Sequence, residues 1–149
     1  MEKLVFDSGI REFDVNGNGV LRFNPADINV YTRFLAAAKD IEDVERELVE
    51  KGEQIDKEDG SAALRLMTEA DRKIKETLNH VFGSENDFDR LLGGVNLLAV
   101  ASNGERVITN FLNALAPIVT DGAQQCARTQ GAALAKEAQL NRAQRRAMK

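Results

Sequence analysis

One cysteine, Cys126, and one histidine, His80, stand in a chain of 149 residues, and that scarcity excludes much site chemistry at the outset. A single thiol closes no disulfide within the chain and assembles no thiolate-rich metal centre. Cys126 has no histidine within a few residues, and His80 falls beside Leu78 and Val81 on a helical stretch. Both read as packing or surface side chains rather than as a nucleophile and its base. Tryptophan is missing and aromatic residues make up 5% of the chain, while alanine supplies much of the apolar share. Helices meeting along narrow seams suit that composition better than a thick globular core. No apolar run comes near the roughly 18 residues that a membrane crossing needs. Met1-Glu2-Lys3 lacks the hydrophobic stretch of a secretory leader. A cytoplasmic protein with no membrane partner is expected.

Phosphate and acyl chemistry are equally thin. Ser8, Ser61, Ser84 and Ser102 sit at turn or cap positions, none within a Gly-x-Ser-x-Gly elbow. No Gly-x-x-x-x-Gly-Lys cradle occurs, and Gly93-Gly94, followed by Val95 and Asn96, reads as a helix stop. Carboxylates crowd the stretch from Asp40 to Asp59, ten acidic against three basic residues, but Glu42 to Glu50 occupies the polar side of an amphipathic helix. A solvated face accounts for them. Neither catalytic residues nor a cofactor are expected, and the protein is read as a non-enzyme.

The net charge of −4 is unevenly placed. The last fourteen residues, from Lys136, carry five basic and one acidic residue, so this end is +4 and the remainder −8. An acidic body argues against a general nucleic-acid binder. The ending, with Arg142, Arg145 and Arg146, could be a disordered basic tail, a helix captured by an acidic partner, or a weak nucleic-acid contact; the last is ranked lowest.

Asp14-Val15-Asn16-Gly17-Asn18-Gly19 imitates the first half of a calcium loop, with oxygen-bearing side chains at positions 1, 3 and 5 and glycine at 6. Position 12, where a bidentate glutamate belongs, is Pro25. No metal is therefore assigned, and a calcium-responsive module at Asp14 is kept only as a secondary alternative. Asn-Gly between apolar runs is instead a hairpin signal, because both residue types tolerate positive φ. Leu4 to Phe6, Ile10 to Val15 and Val20 to Phe23 then give two or three short strands, a ribbon over residues 1–24 that needs a helix or a neighbouring subunit for support.

Helices follow. Asn24 and Pro25 open the first, with the Asn24 amide as cap and Asp27 near the positive end of the dipole. Val30, Phe34, Ala37, Ile41, Val44 and Leu48 alternate at intervals of four and three, which places them on one face, and the helix extends to about Ile55. After Lys57 to Gly60, Ser61 caps a second helix bearing Met67, Ala70, Ile74, Leu78 and Val81. Two such neighbours form an antiparallel hairpin. Ser84 caps a short helix through Phe88 and Leu92, and Val95 to Ala101 is ambiguous between helix and strand. Val107 to Val119 is the most apolar helical face, which Pro117 either bends or stops near Ala116. Residues 25–121 are thus a helical core, and 122–149 an Ala/Gln-rich basic helix or flexible tail. The fold class is mainly α with a small N-terminal β-hairpin, a long amphipathic helical hairpin and C-terminal helices.

Val20-Leu21-Arg22-Phe23-Asn24-Pro25-Ala26-Asp27, with Arg33-Phe34 after it, resembles the opening of tail assembly chaperones and related small tail-module proteins of long-tailed bacteriophages of Gram-positive hosts. Val81-Phe82-Gly83, Gly94-Val95-Asn96, Asn110-Phe111-Leu112 and the Asn141-to-Arg146 ending are similar to later parts of such proteins. The resemblance implies a helical protein of the host cytoplasm that coats the tape measure protein, keeps it soluble while tail tube subunits polymerise, and is absent from the mature virion. Partners it implies are the tape measure protein and, secondarily, the tail tube protein; self-association is also open. On that basis Phe111, Leu112, Leu115 and Ile118 form either core or client surface, and Arg142, Arg145 and Arg146 are a further contact. The competing class is a permanent minor component of the tail.

Overall fold

The structure is a computed structural model that describes residues 1–83 and 85–147. Strands β1 (Arg11–Asp14) and β2 (Val20–Phe23) pair antiparallel, with Arg11 opposite Phe23 and Phe13 opposite Leu21. The connection is the anticipated Asn-Gly turn. Asn16 and Gly17 adopt φ of 53° and 75°, and the Gly17 N–H donates to Asp14 Oδ1 at 2.8 Å. Leu4 to Phe6, the third strand candidate, forms no strand. Phe13, Leu21 and Phe23 share the inward face of the ribbon because side chains directly opposite, or two apart, lie on the same side.

Four helices follow: α1 (Ile28–Glu53), α2 (Gly60–Phe82), α3 (Phe88–Leu91) and α4 (Val107–Ala147). Each of the first three is capped by an aspartate, not by the residue the sequence favoured. Asp27 accepts from Asn29 N–H at the head of α1, whereas Asn24 Oδ1 accepts from Ala26 N–H and closes the turn before it. Pro25 therefore precedes the helix. Asp59 rather than Ser61 caps α2, accepting from Ala62 N–H, and α1 ends at Glu53, short of Ile55. Asp87 caps α3; Ser84 lies outside the described residues.

The hairpin of α1 and α2 buries Val30, Phe34, Ala37 and Ile41 against Ala70, Ile74, Leu78, Val81 and Phe82, with Val44, Leu48 and Met67 half-buried toward its linker. A ladder of rings crosses the body. Phe13, Phe23, Phe82, Phe88 and Phe111 follow one another with centroids 5.1, 4.9, 5.7 and 6.0 Å apart, so the ribbon, α2, α3 and α4 are joined through aromatic contacts.

Val95 to Ala101 is neither helix nor strand. Leu97 N–H donates to Asp71 Oδ1 at 2.8 Å and Asn96 Nδ2 to the Met67 carbonyl at 3.2 Å, which fastens the segment to α2. Its carbonyls serve α4: Ala99 O accepts from Val107 N–H and Leu97 O from Ile108 N–H, both at 2.9 Å. These satisfy amides that a helix start leaves without partners.

Helix α4 is 41 residues long and runs unbroken through Pro117, so of the two outcomes expected there, a bend or a stop near Ala116, the stop does not occur. The proline and the carbonyl it orphans, that of Asn113, both belong to exposed residues, so the missing bond leaves no buried polar group behind. Ile108, Leu115, Val119, Gly122 and Ala123 form its buried seam. From Gln124 to Ala147 every residue except the half-buried Cys126 is exposed, so helical propensity sustains a projection of about 35 Å.

Candidate partner-binding groove

Between the ribbon and α4 lies an apolar groove of about 600 Å³. Phe13 and Leu21 form one wall, Phe111, Leu115 and Ile118 the other, and Leu92 and Val95 close one end. The two outermost rings of the ladder, Phe13 and Phe111, thus face the same space. Leu115 is buried, whereas Phe13, Phe111 and Ile118 are half-buried. Spacing of four and three residues on α4 explains why the last-named wall is continuous.

The residues read from the sequence divide accordingly. Phe111, Leu115 and Ile118 come together in the groove, Leu115 as core and the other two as part core, part surface. Leu112, also half-buried, packs on the core but does not line the groove. Arg142, Arg145 and Arg146 are exposed on the projecting end of α4, about 35 Å along the helix from Ile118 in the groove, and share one helical face. The opposing wall of Phe13 and Leu21 escaped the sequence reading. Its signal, alternation within β1 and β2, was visible, but which face met α4 was not.

Polar side chains near the groove hold the fold together. Asn86, 2% exposed, accepts from Arg22 N–H at 2.9 Å and donates to the Arg22 and Phe82 carbonyls at 3.1 and 2.8 Å. Asn18 Nδ2 donates to the Leu91 carbonyl at 3.2 Å, and Asp14 is engaged by Gly17, so these two side chains of the calcium-like loop serve the turn and its docking. No group of three or more metal-capable side chains occurs among the described residues.

Lys75 is the most enclosed ionic centre, its side chain 12% exposed. It binds Asp71 at 2.9 Å, Asp89, and the Val95 carbonyl at 3.1 Å, joining α2, α3 and the loop. Burial opposes its charge, but the hydrogen bonds and charges of Asp89 and Asp71 prevail and hold its pKa above the ordinary lysine value. A folded-state pKa above the unfolded one means stability that is complete at neutral pH and lost as pH rises through the folded value. We therefore expect Lys75→Met to cost about 1–3 kcal/mol at pH 7, measured by urea unfolding. The gap to the parent should narrow above about pH 10.4, the unperturbed lysine value. A gap independent of pH would show that packing, not charge, is what the lysine contributes.

Compared with protein-family models, curated proteins and solved structures, the chain matches none.

Proposed function

We propose that the protein is a non-catalytic assembly chaperone of a phage tail, which binds the tape measure protein in the host cytoplasm and keeps it soluble until tube subunits enclose it. The groove between β1 and α4 carries this reading, since it offers apolar walls on two sides whose Phe13, Phe111 and Ile118 are only half-buried. A groove of that kind receives the apolar face of a helix, and a tape measure protein is a very long helical chain. Release to the growing tube requires modest, reversible contacts, which favours partly buried side chains over one large exposed patch. The projecting end of α4, with Arg142, Arg145 and Arg146 on one face, supplies a second contact for an acidic stretch of client or tube protein.

Co-expression with the long helical tail protein tests the reading. Ile118→Asp should leave the circular dichroism of the chaperone unchanged yet lower the soluble client by about tenfold or more, the scale of a single anchoring contact. Leu115→Asp, at a buried position, should instead abolish helicity. Client that stays equally soluble with Ile118→Asp, or without any chaperone, refutes the role. Mass spectrometry of purified particles should find the chain absent; stoichiometric abundance would make it a structural component.

A further inference from the structure

Two needs on the same chain are unmet, and they fit each other. The first is a strand edge. Arg22 turns both its N–H and its carbonyl to Asn86, away from β1, so Glu12, its antiparallel partner, turns the same groups away from β2. Asp14, two residues on, does likewise. Asn86 thus closes the outer edge of β2, while β1 ends the sheet with an open one. Apolar space borders it: beyond Phe13 and Ile118 the groove meets a second recess of about 500 Å³ lined by Arg11, Pro25 and Asp121.

The second need belongs to Leu4, Val5 and Phe6. Their exposures are 89, 88 and 74%, three consecutive large apolar residues outside any element. Such a run in water is a surface waiting for a partner.

We propose that Leu4 to Phe6 of one copy adds as a third strand to β1 of a second copy. The strands run antiparallel, with Leu4 opposite Phe13 and Phe6 opposite Arg11. Directly opposite residues share a face, so Leu4 and Phe6 enter the two recesses while Val5 faces solvent beside Glu12. Lys3 then stands opposite Asp14, pairing unlike charges. Hydrogen bonding agrees with this register, because Val5 and Lys3 meet the two residues whose backbone groups point outward. Phe6 also reaches the Arg11 guanidinium, which already lies 5.2 Å from the Phe13 ring.

A chain cannot easily pair this segment with its own β1. The same register would leave Ser8-Gly9 as a two-residue loop, and tight hairpin loops demand positive φ at the first of those positions. That residue is Ser8, and Asn16 is the only non-glycine with positive φ among the described residues. Ser8 is moreover held by its carbonyl, which accepts from Asn24 Nδ2 at 3.1 Å, and Asp7 Oδ1 accepts from Gly9 N–H at 2.8 Å. The edge of a second copy carries no such restraint, and reciprocal exchange closes a two-fold dimer.

The pairing is a property of the free chain and independent of any client. Light scattering of the full chain, without client, should give at least twice the chain mass of 16.4 kDa. Two variants should return it to the single-chain mass with helicity intact. Leu4→Asp combined with Phe6→Asp spoils the added strand, and Glu12→Pro removes an outward-facing N–H, as edge strands tolerate, together with an exposed ion pair to Arg22 that contributes little to stability. A monomeric parent overturns the proposal, as does an assembly that survives either variant. A monomer whose Val5 amide exchanges slowly would mean that the segment closes on its own edge, and overturns it equally.

Discussion

Gly122→Ala should lower the melting temperature by roughly 10 °C, while Gly131→Ala, nine residues along the same helix, should raise it slightly. The contrast isolates close approach from helix propensity. A β-carbon at residue 122 would lie 1.9 Å from the Pro25 carbonyl oxygen and 2.4 Å from its carbon, distances that no rotamer change relieves because the obstacle is backbone. Relief requires α4 to back away from the turn leading into α1, loosening the seam of Leu115, Val119 and Ala123. Overpacking of this kind costs about 3 kcal/mol or more when the neighbour is rigid. At residue 131 nothing lies within 4 Å, so alanine there adds only its helical preference, about 0.5–1 kcal/mol in favour. Equal effects at both sites, read by calorimetry, would show that α4 does not press on Pro25.

Periodic features were legible in the sequence, and features decided by distant contacts were not. The seam from Val30 to Leu48 and its counterpart from Met67 to Val81 needed only local spacing, and the Asn16-Gly17 turn needed only local φ preference. Helix starts failed at ties. Asn24 and Asp27, and likewise Asp59 and Ser61, are competent caps within three residues of each other, so local chemistry alone does not choose between them; Asp27 and Asp59 are the ones whose carboxylates accept from the first helical amides. Pro117 left a bend and a stop both open, because the missing bond alone does not say whether the helix continues; the exposed position of Pro117 and Asn113 leaves no buried group unpaired, and the helix goes on. Of the groove, only the α4 wall was visible, as the run Phe111, Leu115, Ile118. Asp71 and Lys75 look in sequence like one more exposed i,i+4 pair. Their enclosure comes from Asp89 and Val95, contributed by later parts of the chain.

Asn86 should be among the least replaceable side chains in the molecule. Its amide is matched on both sides: the oxygen meets an N–H, and the nitrogen meets two carbonyls. Asn86→Leu keeps the branching at Cγ, is somewhat bulkier, and strands all three backbone groups in a site 2% exposed, so a loss of about 3–5 kcal/mol is expected in urea unfolding. Asn86→Asp separates donation from acceptance. The carboxylate still accepts from Arg22 N–H, but it also confronts the Arg22 and Phe82 carbonyls with negative charge where a donor belongs. At neutral pH this variant should be less stable than the leucine form, because an uncompensated buried charge adds to the lost bonds. Acid should reverse the order, since a protonated carboxyl recovers one donor and its pKa is raised in the folded state; stability lost on ionisation returns as pH falls through that value. The ribbon should loosen first in either variant, with amides of β2 exchanging faster than those of α1 and α2, because Asn86 is the polar link that fastens β2 to the turn after α2. Uniform acceleration across all elements would mean instead that the ribbon and the helical hairpin unfold as one cooperative unit.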